Sequence, residues 1–237
     1  MDETDSVTTQ GSTVEDWTRA LAQATGSPGG GAGTGLMLAL AASMASMVAG
    51  YTEPEEDRRA ELSRVRERAQ ALREEALRLA DQDASASLAF GAAFRLEPGA
   101  ERDEAVTRAS VDAAKSSAVL GQRAIEAIEA IDALAWLAVH GNRALIADVV
   151  VAFGSLRATV AGARTNVSFD LAALTSHGST MEQVREQHPA LWATVTDLNA
   201  ALERIDSLTA EIDHRAAPTD AAPQGSAKNA RATRGRV

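Results

Sequence analysis

"LSRVRERAQALREEALRLADQDASASLAF", residues 62–90, repeats its small and apolar side chains at alternating spacings of three and four. Leu62, Val65, Ala69, Leu72, Ala76, Leu79, Ala86 and Phe90 make the seam of a long helix that lies against neighbours at a shallow angle. The seam position between Leu79 and Ala86 is held by Asp83. A carboxylate there is costly unless it is paired, hydrogen-bonded or turned into a cavity. Two readings follow, a structural Asp bonded to an adjacent helix or a working carboxylate in a cleft.

Outward from that seam the pattern stays helical. Thr52, Pro54 and Glu55 supply a cap, a proline for the first turn and an acid at the positive end of the helix dipole. Residues 34–51 are nearly all small or apolar and predict a central helix covered on most sides. Leu36 to Val48, the most hydrophobic part, is too short and too rich in Ala, Ser and Met to be read as a membrane span. Ser12 and Glu15 have capping-box spacing ahead of a short helix around Trp17 and Leu21. After the break at "EPGAER", residues 97–102, one helix is expected from Arg102 to Gly121. A second is expected to Val139, with Ile125, Ile128, Ile131 and Ala135 inward, and "HGN" at 140–142 is a turn. A helix over 144–173 carries an apolar set from Val149 to Leu171. Beside it runs a small polar stripe of Asp148, Ser155, Thr159, Gly162, Asn166 and Asp170. Ser155 and Thr159 fit close helix packing better than ligand binding. A last pair of helices starts near Ser179, with Glu182 as its box partner, and at Pro189.

Composition narrows the class. Aromatics are 3% of the 237 residues, and Gly and Pro cluster instead of recurring at strand spacing, so an all-α fold is expected. A net charge of −10 argues against a nucleic-acid surface. The absence of cysteine removes disulfides, thiolate metal sites and cysteine nucleophiles, and favours the cytoplasm. The polar, acidic opening "MDETDSVTTQGS" has no signal-peptide pattern. The expected organisation is a disordered N-terminus over 1–12, a helical domain over 13–215 and a disordered basic tail over 216–237.

The glycine-rich "TGSPGGGAGTG", residues 25–35, stands directly before the helix of residues 34–51. It fits neither a Walker loop nor a dinucleotide fingerprint, because no Lys-Ser or Lys-Thr follows it and no strand precedes it. Free N–H groups of a first helical turn suit an anion or carboxylate, whereas a close-packing turn needs the same glycines for a steric reason. His140, His177, His188 and His214 lack metal-ligand spacing, so no metal is expected; only His140, beside the turn, is kept as a cleft candidate. Arg108 is a surface or ion-pair residue unless a ligand carboxylate uses it.

Three segments in order, "SPGGGAGTGLMLALAASMASMVAGYT", "LADQDASASLAFGAAFRLEP" and "HGNRALIADVVVAFGSLRATVAGARTNVSFDLAAL", resemble the cyclodeaminase/cyclohydrolase family of folate-processing domains. The resemblance spans roughly Trp17 to Leu174. It implies a multihelical bundle of long antiparallel helices, similar to methenyltetrahydrofolate cyclohydrolase, that forms a homodimer. It also implies a tetrahydrofolate derivative as substrate, with no further cofactor, no nucleic acid and no membrane. The family's motif positions fall on Pro28, Gly29, Gly30, Gly31, Asp83, Asn142, Asp148 and Asn166. The chemistry implied is hydrolysis of a 5,10-methenyl bridge, or ring closure of a 5-formimino group with loss of ammonia. Asp83 and Asp148 are then the catalytic candidates. Asn142, Asn166 and Arg108, with the glycine turn, are the substrate-binding ones.

The chain departs from the family pattern at Ala32, where Ser is usual, and at Gly99, Glu53 and Pro54, where lysines are expected nearby. A folate with its glutamate tail is anionic, so the missing lysines open two other readings. One is a biosynthetic cyclase or hydrolase with a non-folate substrate, and the other a non-catalytic helical dimer.

Overall fold

The computed structural model describes residues 7–24, 27–173, 175 and 180–216. The expected positions His177 and Ser179, the side chains of Phe90 and His214, and the tail beyond 216 lie outside the described residues. Among those described, every regular element is helical: α1 Val14–Leu21, α2 Gly30–Gly50, α3 Arg59–Phe94, α4 Ala100–His140, α5 Ile146–Ala173, α6 Met181–Gln187 and α7 Pro189–Ala216. Short 3₁₀ turns, Glu56–Arg58 and Arg143–Leu145, lead into α3 and α5.

Helices adjacent in the bundle mostly pair antiparallel, while α4 and α7 run in the same direction. α2 lies along α3 with Gly35 against Ala76 and Ala80, and along α5 with Thr34 against Thr159 and Gly162. Thr159 is buried and donates to the Ser155 and Thr34 carbonyls at 3.0 and 3.4 Å, which makes the small stripe of α5 a close helix contact. α4 backs α3, α5 and α7, and an apolar core runs through Leu38, Ala76, Leu134, Phe153, Leu156 and Ile205. Arg157 and Arg204 tie the surface of α7 to α5 and α4 through Asp206 and Asp132. Exposed pairs of this kind contribute about 0–1 kcal/mol each.

The α3 seam is as expected: Leu62, Val65, Ala69, Ala76, Leu79 and Asp83 are all buried. Elsewhere the structure corrects the sequence reading. α4 is continuous through Gly121, whose missing side chain lets Leu191 of α7 approach; a β-carbon there would sit 3.4 Å from Leu191 Cδ2. Its buried face consists of Leu120, Ala124, Ala127, Ile131 and Leu134, while Ile125 is exposed, because close neighbours on three sides favour alanine over the bulkier isoleucine. The N-caps are Thr13 for α1 and Thr180 for α6, each one residue after the expected one. Thr180 forms a full capping box with Gln183. Thr52 is no cap for α3: its hydroxyl donates to the Val48 carbonyl at 2.8 Å and accepts from the Asn142 amide at 3.1 Å, which closes α2. Residues 8–12, expected to be disordered, form a turn because the Asp81 carboxylate accepts from the Thr9 and Gln10 amides and Trp17 Nε1 donates to Thr9.

α2 and residues 143–172 are each long and apolar enough to cross a membrane, and both are packed into the bundle. α2, expected to be central from its composition, packs against α3, α5 and α4, and Met37, Leu40, Met47 and Tyr51 remain exposed along a stripe.

Candidate active site

A cleft of about 1060 Å³ opens where the N-terminus of α2 meets the second half of α3, the first half of α4 and the end of α5. Its walls include Gly30 and Gly31 of α2, Asp83 and Ser87 of α3, Arg108 and Asp112 of α4, and Asn166, Phe169 and Asp170 of α5. That size suits a drug-sized or cofactor-sized molecule.

Asp83 forms the inner end of the cleft. It is 7% exposed, and its carboxylate accepts from the Ala32 amide in the first turn of α2. The α2 N-cap, Gly29, offers no side chain to the free amides of that turn, so the α3 carboxylate serves as the anion at this helix end. Gly31 is required there for space, since a β-carbon on it would overlap the Asp83 carboxylate. The glycine-rich turn is thus a close-approach device, and in this structure the carboxylate it meets is the protein's own. Pro28 is buried behind it, and Ser27 Oγ donates to the Ala84 carbonyl at 2.9 Å, which ties the turn to α3.

Burial pushes the Asp83 carboxyl above its ordinary range, against opposing pulls from the Arg123 guanidinium and the Ala32 amide. Arg123 lies fully buried on α4, its Nη2 3.6 Å from Asp83 Oδ1. Phe169 is 72% exposed on the cleft wall, an unusual position in a chain with so few aromatics. Arg108 is the one cation among the described lining residues, and Asp112, one turn further along α4, is already paired with Lys115 at 3.0 Å.

The structure brings Gly30, Gly31, Asp83, Arg108 and Asn166 to this one cleft, and sets Gly29 and Pro28 at its edge. It does not bring Asp148 or Asn142 there: within one copy these two expected site residues lie apart from the cleft. Asp148 starts α5, 18 residues from Asn166, or about 27 Å along the helix. Asn142 is a structural tie: its side chain accepts from the Ala144 amide at 3.0 Å and donates to the Tyr51 carbonyl at 3.2 Å. His140 packs on Trp136 at that same far end. Helical periodicity shows which face a residue occupies but not which end of the bundle, and so Asp148 and Asn166 looked alike. Arg123 and Phe169 were not singled out in the sequence. A charged residue between Leu120 and Ala124 on a buried face was the available signal for Arg123.

A bundle of long helices with a carboxylate held on a helix N-terminus at the end of a molecule-sized cleft defines the class, an all-α fold. The chain belongs to the formiminotransferase-cyclodeaminase family, whose sequence model matches residues 13–188. In structure it is similar to formiminotetrahydrofolate cyclodeaminase from Thermotoga maritima, with a TM-score of 0.68 and 21% identity over 86% of this chain and 98% of that one. At that identity the likeness is one of fold. No curated protein matches the sequence.

Proposed function

We propose that this protein is a folate one-carbon enzyme acting on an amidinium-type carbon, and that the cleft at Asp83 is its active site. The observation that carries the reading is a buried carboxyl with a raised pKa at the inner end of a cleft of folate size, in a chain of this family. A 5,10-methenyl bridge is a cation, and the carboxylates of Asp83 and Asp170 lie where they attract it. In hydrolysis a water adds to the bridge carbon and Asp83 accepts one of its protons; as the adduct collapses, the hydroxyl proton passes to N5 while the bond from the bridge carbon to N5 breaks, leaving the 10-formyl product. In the cyclodeaminase direction N10 attacks the formimino carbon, the N10 proton passes to the imino nitrogen, and a protonated Asp83 supplies the second proton with which ammonia departs. Both roles ask for a carboxyl whose pKa lies above the usual range. In this reading Asn166, Phe169 and Arg108, which line the cleft, take the polar edges of a pterin, its flat face and a tail carboxylate in turn.

The test is calorimetry with 5-formyltetrahydrofolate alongside loss of the methenyl chromophore. Binding with turnover supports the reading, and no binding at millimolar ligand overturns it. The second reading, a non-folate substrate, is favoured by a lining with a single cation, since a polyanionic tail would ask for more. Binding of an uncharged or cationic bicyclic amidine without binding of the folate would select it. Either way the reading includes a cytoplasmic protein with no cofactor.

We propose that the homodimer implied by the family forms through the faces that α2 and α5, which pack on each other, leave exposed. On α2 and its C-cap that face carries Met37, Leu40, half-buried Met44, Met47 and Tyr51; on α5 the exposed residues Ala147, Val151, Gly154 and Ala158 are small or medium-sized. Gly154 has open space where a β-carbon would stand. Bulky apolar residues on one exposed helix face and small ones on its neighbour can interlock across a two-fold axis, so a second copy is the occupant we assign. Leu40→Glu with Met47→Glu is expected to give a folded monomer by light scattering, and an unchanged mass would remove this face from consideration.

A further inference from the structure

Arg123 is the least expected residue in the molecule, a guanidinium with no exposed surface on a helix otherwise packed with alanine. Taking such a charge out of water costs several kcal/mol unless partners compensate it. Its Nη2 donates to the Leu79 carbonyl at 2.7 Å, and that same nitrogen faces Asp83 Oδ1 at 3.6 Å. Nε and Nη1 have no hydrogen-bond partner among the described residues. A purely structural arginine would spend its fork on a bidentate carboxylate. This one instead anchors on the α3 backbone one turn before Asp83 and directs its charge at that side chain.

We propose that Arg123 is the positioning residue of the cleft: anchored at Leu79, it holds the Asp83 carboxylate against the first turn of α2 and sets its affinity for a proton. The inference rests on the reading of Asp83 as proton carrier, and it adds a residue that touches no substrate. The charged groups around Asp83 come from three elements. Arg123 approaches from α4 with Glu126 behind it, the Ala32 amide dipole from α2, and Asp170 from α5, the last acting on Arg123. Glu126 is itself pushed towards its neutral form by burial, and one of its carboxylate oxygens has no hydrogen-bond partner, so it competes weakly for the guanidinium. Removing Arg123 therefore takes away, among the described residues, the full positive charge that favours ionised Asp83, and the Asp83 midpoint rises.

The experiment is a carbon-13 NMR titration of aspartate carboxyls in the full-length, ligand-free protein, with the Asp83 signal assigned by Asp83→Asn. In Arg123→Met the Asp83 midpoint is expected to move up by about 1–3 pH units, the usual effect of a guanidinium beside an aspartate. In Arg123→Lys, which keeps the charge, it is expected to stay within about half a unit of wild type. If Arg123→Met does not fold, Arg123→Gln, a neutral donor, takes its place. An unmoved midpoint in a charge-free variant overturns the proposal, and so does a Lys variant that shifts as far as the Met one. Because no substrate enters the titration, a shifted midpoint in a protein that turns over no folate would leave Arg123 in this role and reject only the substrate reading.

Discussion

Asp83→Asn is expected to lower kcat for hydrolysis of 5,10-methenyltetrahydrofolate by about a hundred- to ten-thousand-fold, the usual weight of a positioned general acid or base. Asparagine is the informative replacement because its carbonyl can still accept from the Ala32 amide and it fills the same space under Gly31. Alanine would confuse the result. It would take away the acceptor and the volume that asparagine keeps, while both replacements leave Arg123 buried without its facing carboxylate, and loss of one partner of such a pair costs about 3–5 kcal/mol. Thermal unfolding run beside the assay separates lost chemistry from lost fold. Asp148→Asn is the matched control: at the far end of α5 it is expected to keep turnover within about threefold, in line with surface substitutions away from a site. A loss at Asp148 as large as at Asp83 would mean that the Asp148 of a second copy reaches into the cleft. Unchanged turnover in Asp83→Asn would remove Asp83 from the reaction altogether.

Gly35→Val is expected to destabilise the protein by about 3 kcal/mol, towards the upper end of what overpacking a core costs. A β-carbon at Gly35 would stand 2.8 Å from Ala80 Cβ and 2.9 Å from the Ala76 carbonyl oxygen. The first is held on the α3 backbone and the second belongs to it, so neither can rotate away, and the helices themselves must part. Widening that crossing also moves the first turn of α2 off Asp83, so activity should fall with stability. Gly33→Ala is the contrast. Nothing lies within 4 Å of a β-carbon there, and an alanine inside a helix is expected to stabilise by about 0.5–1 kcal/mol. Chemical denaturation of the two variants decides the matter: equal effects would mean that the glycines of α2 serve flexibility and not close approach.

The amino-acid sequence by itself determined the class of fold and much of its core. Alternating threes and fours over residues 62–90 can be satisfied only by a long helix with one buried side, and Asp83 stood out because it broke that apolar seam. The glycine turn was legible as a special place, though not whether it served a ligand or a neighbour. What only the tertiary structure decided was which ends of the helices meet. Position along a bundle depends on how antiparallel helices are set against one another, through contacts such as Gly35 on Ala80 and Thr34 on Gly162, and periodicity carries no record of that offset. That is why Asp148 and Asn142 moved to the far end while Phe169 and Asp170 joined the cleft. It is also why Arg123 was invisible as a partner: a charge 40 residues from Asp83 in the chain becomes its neighbour only when α4 folds back on α3.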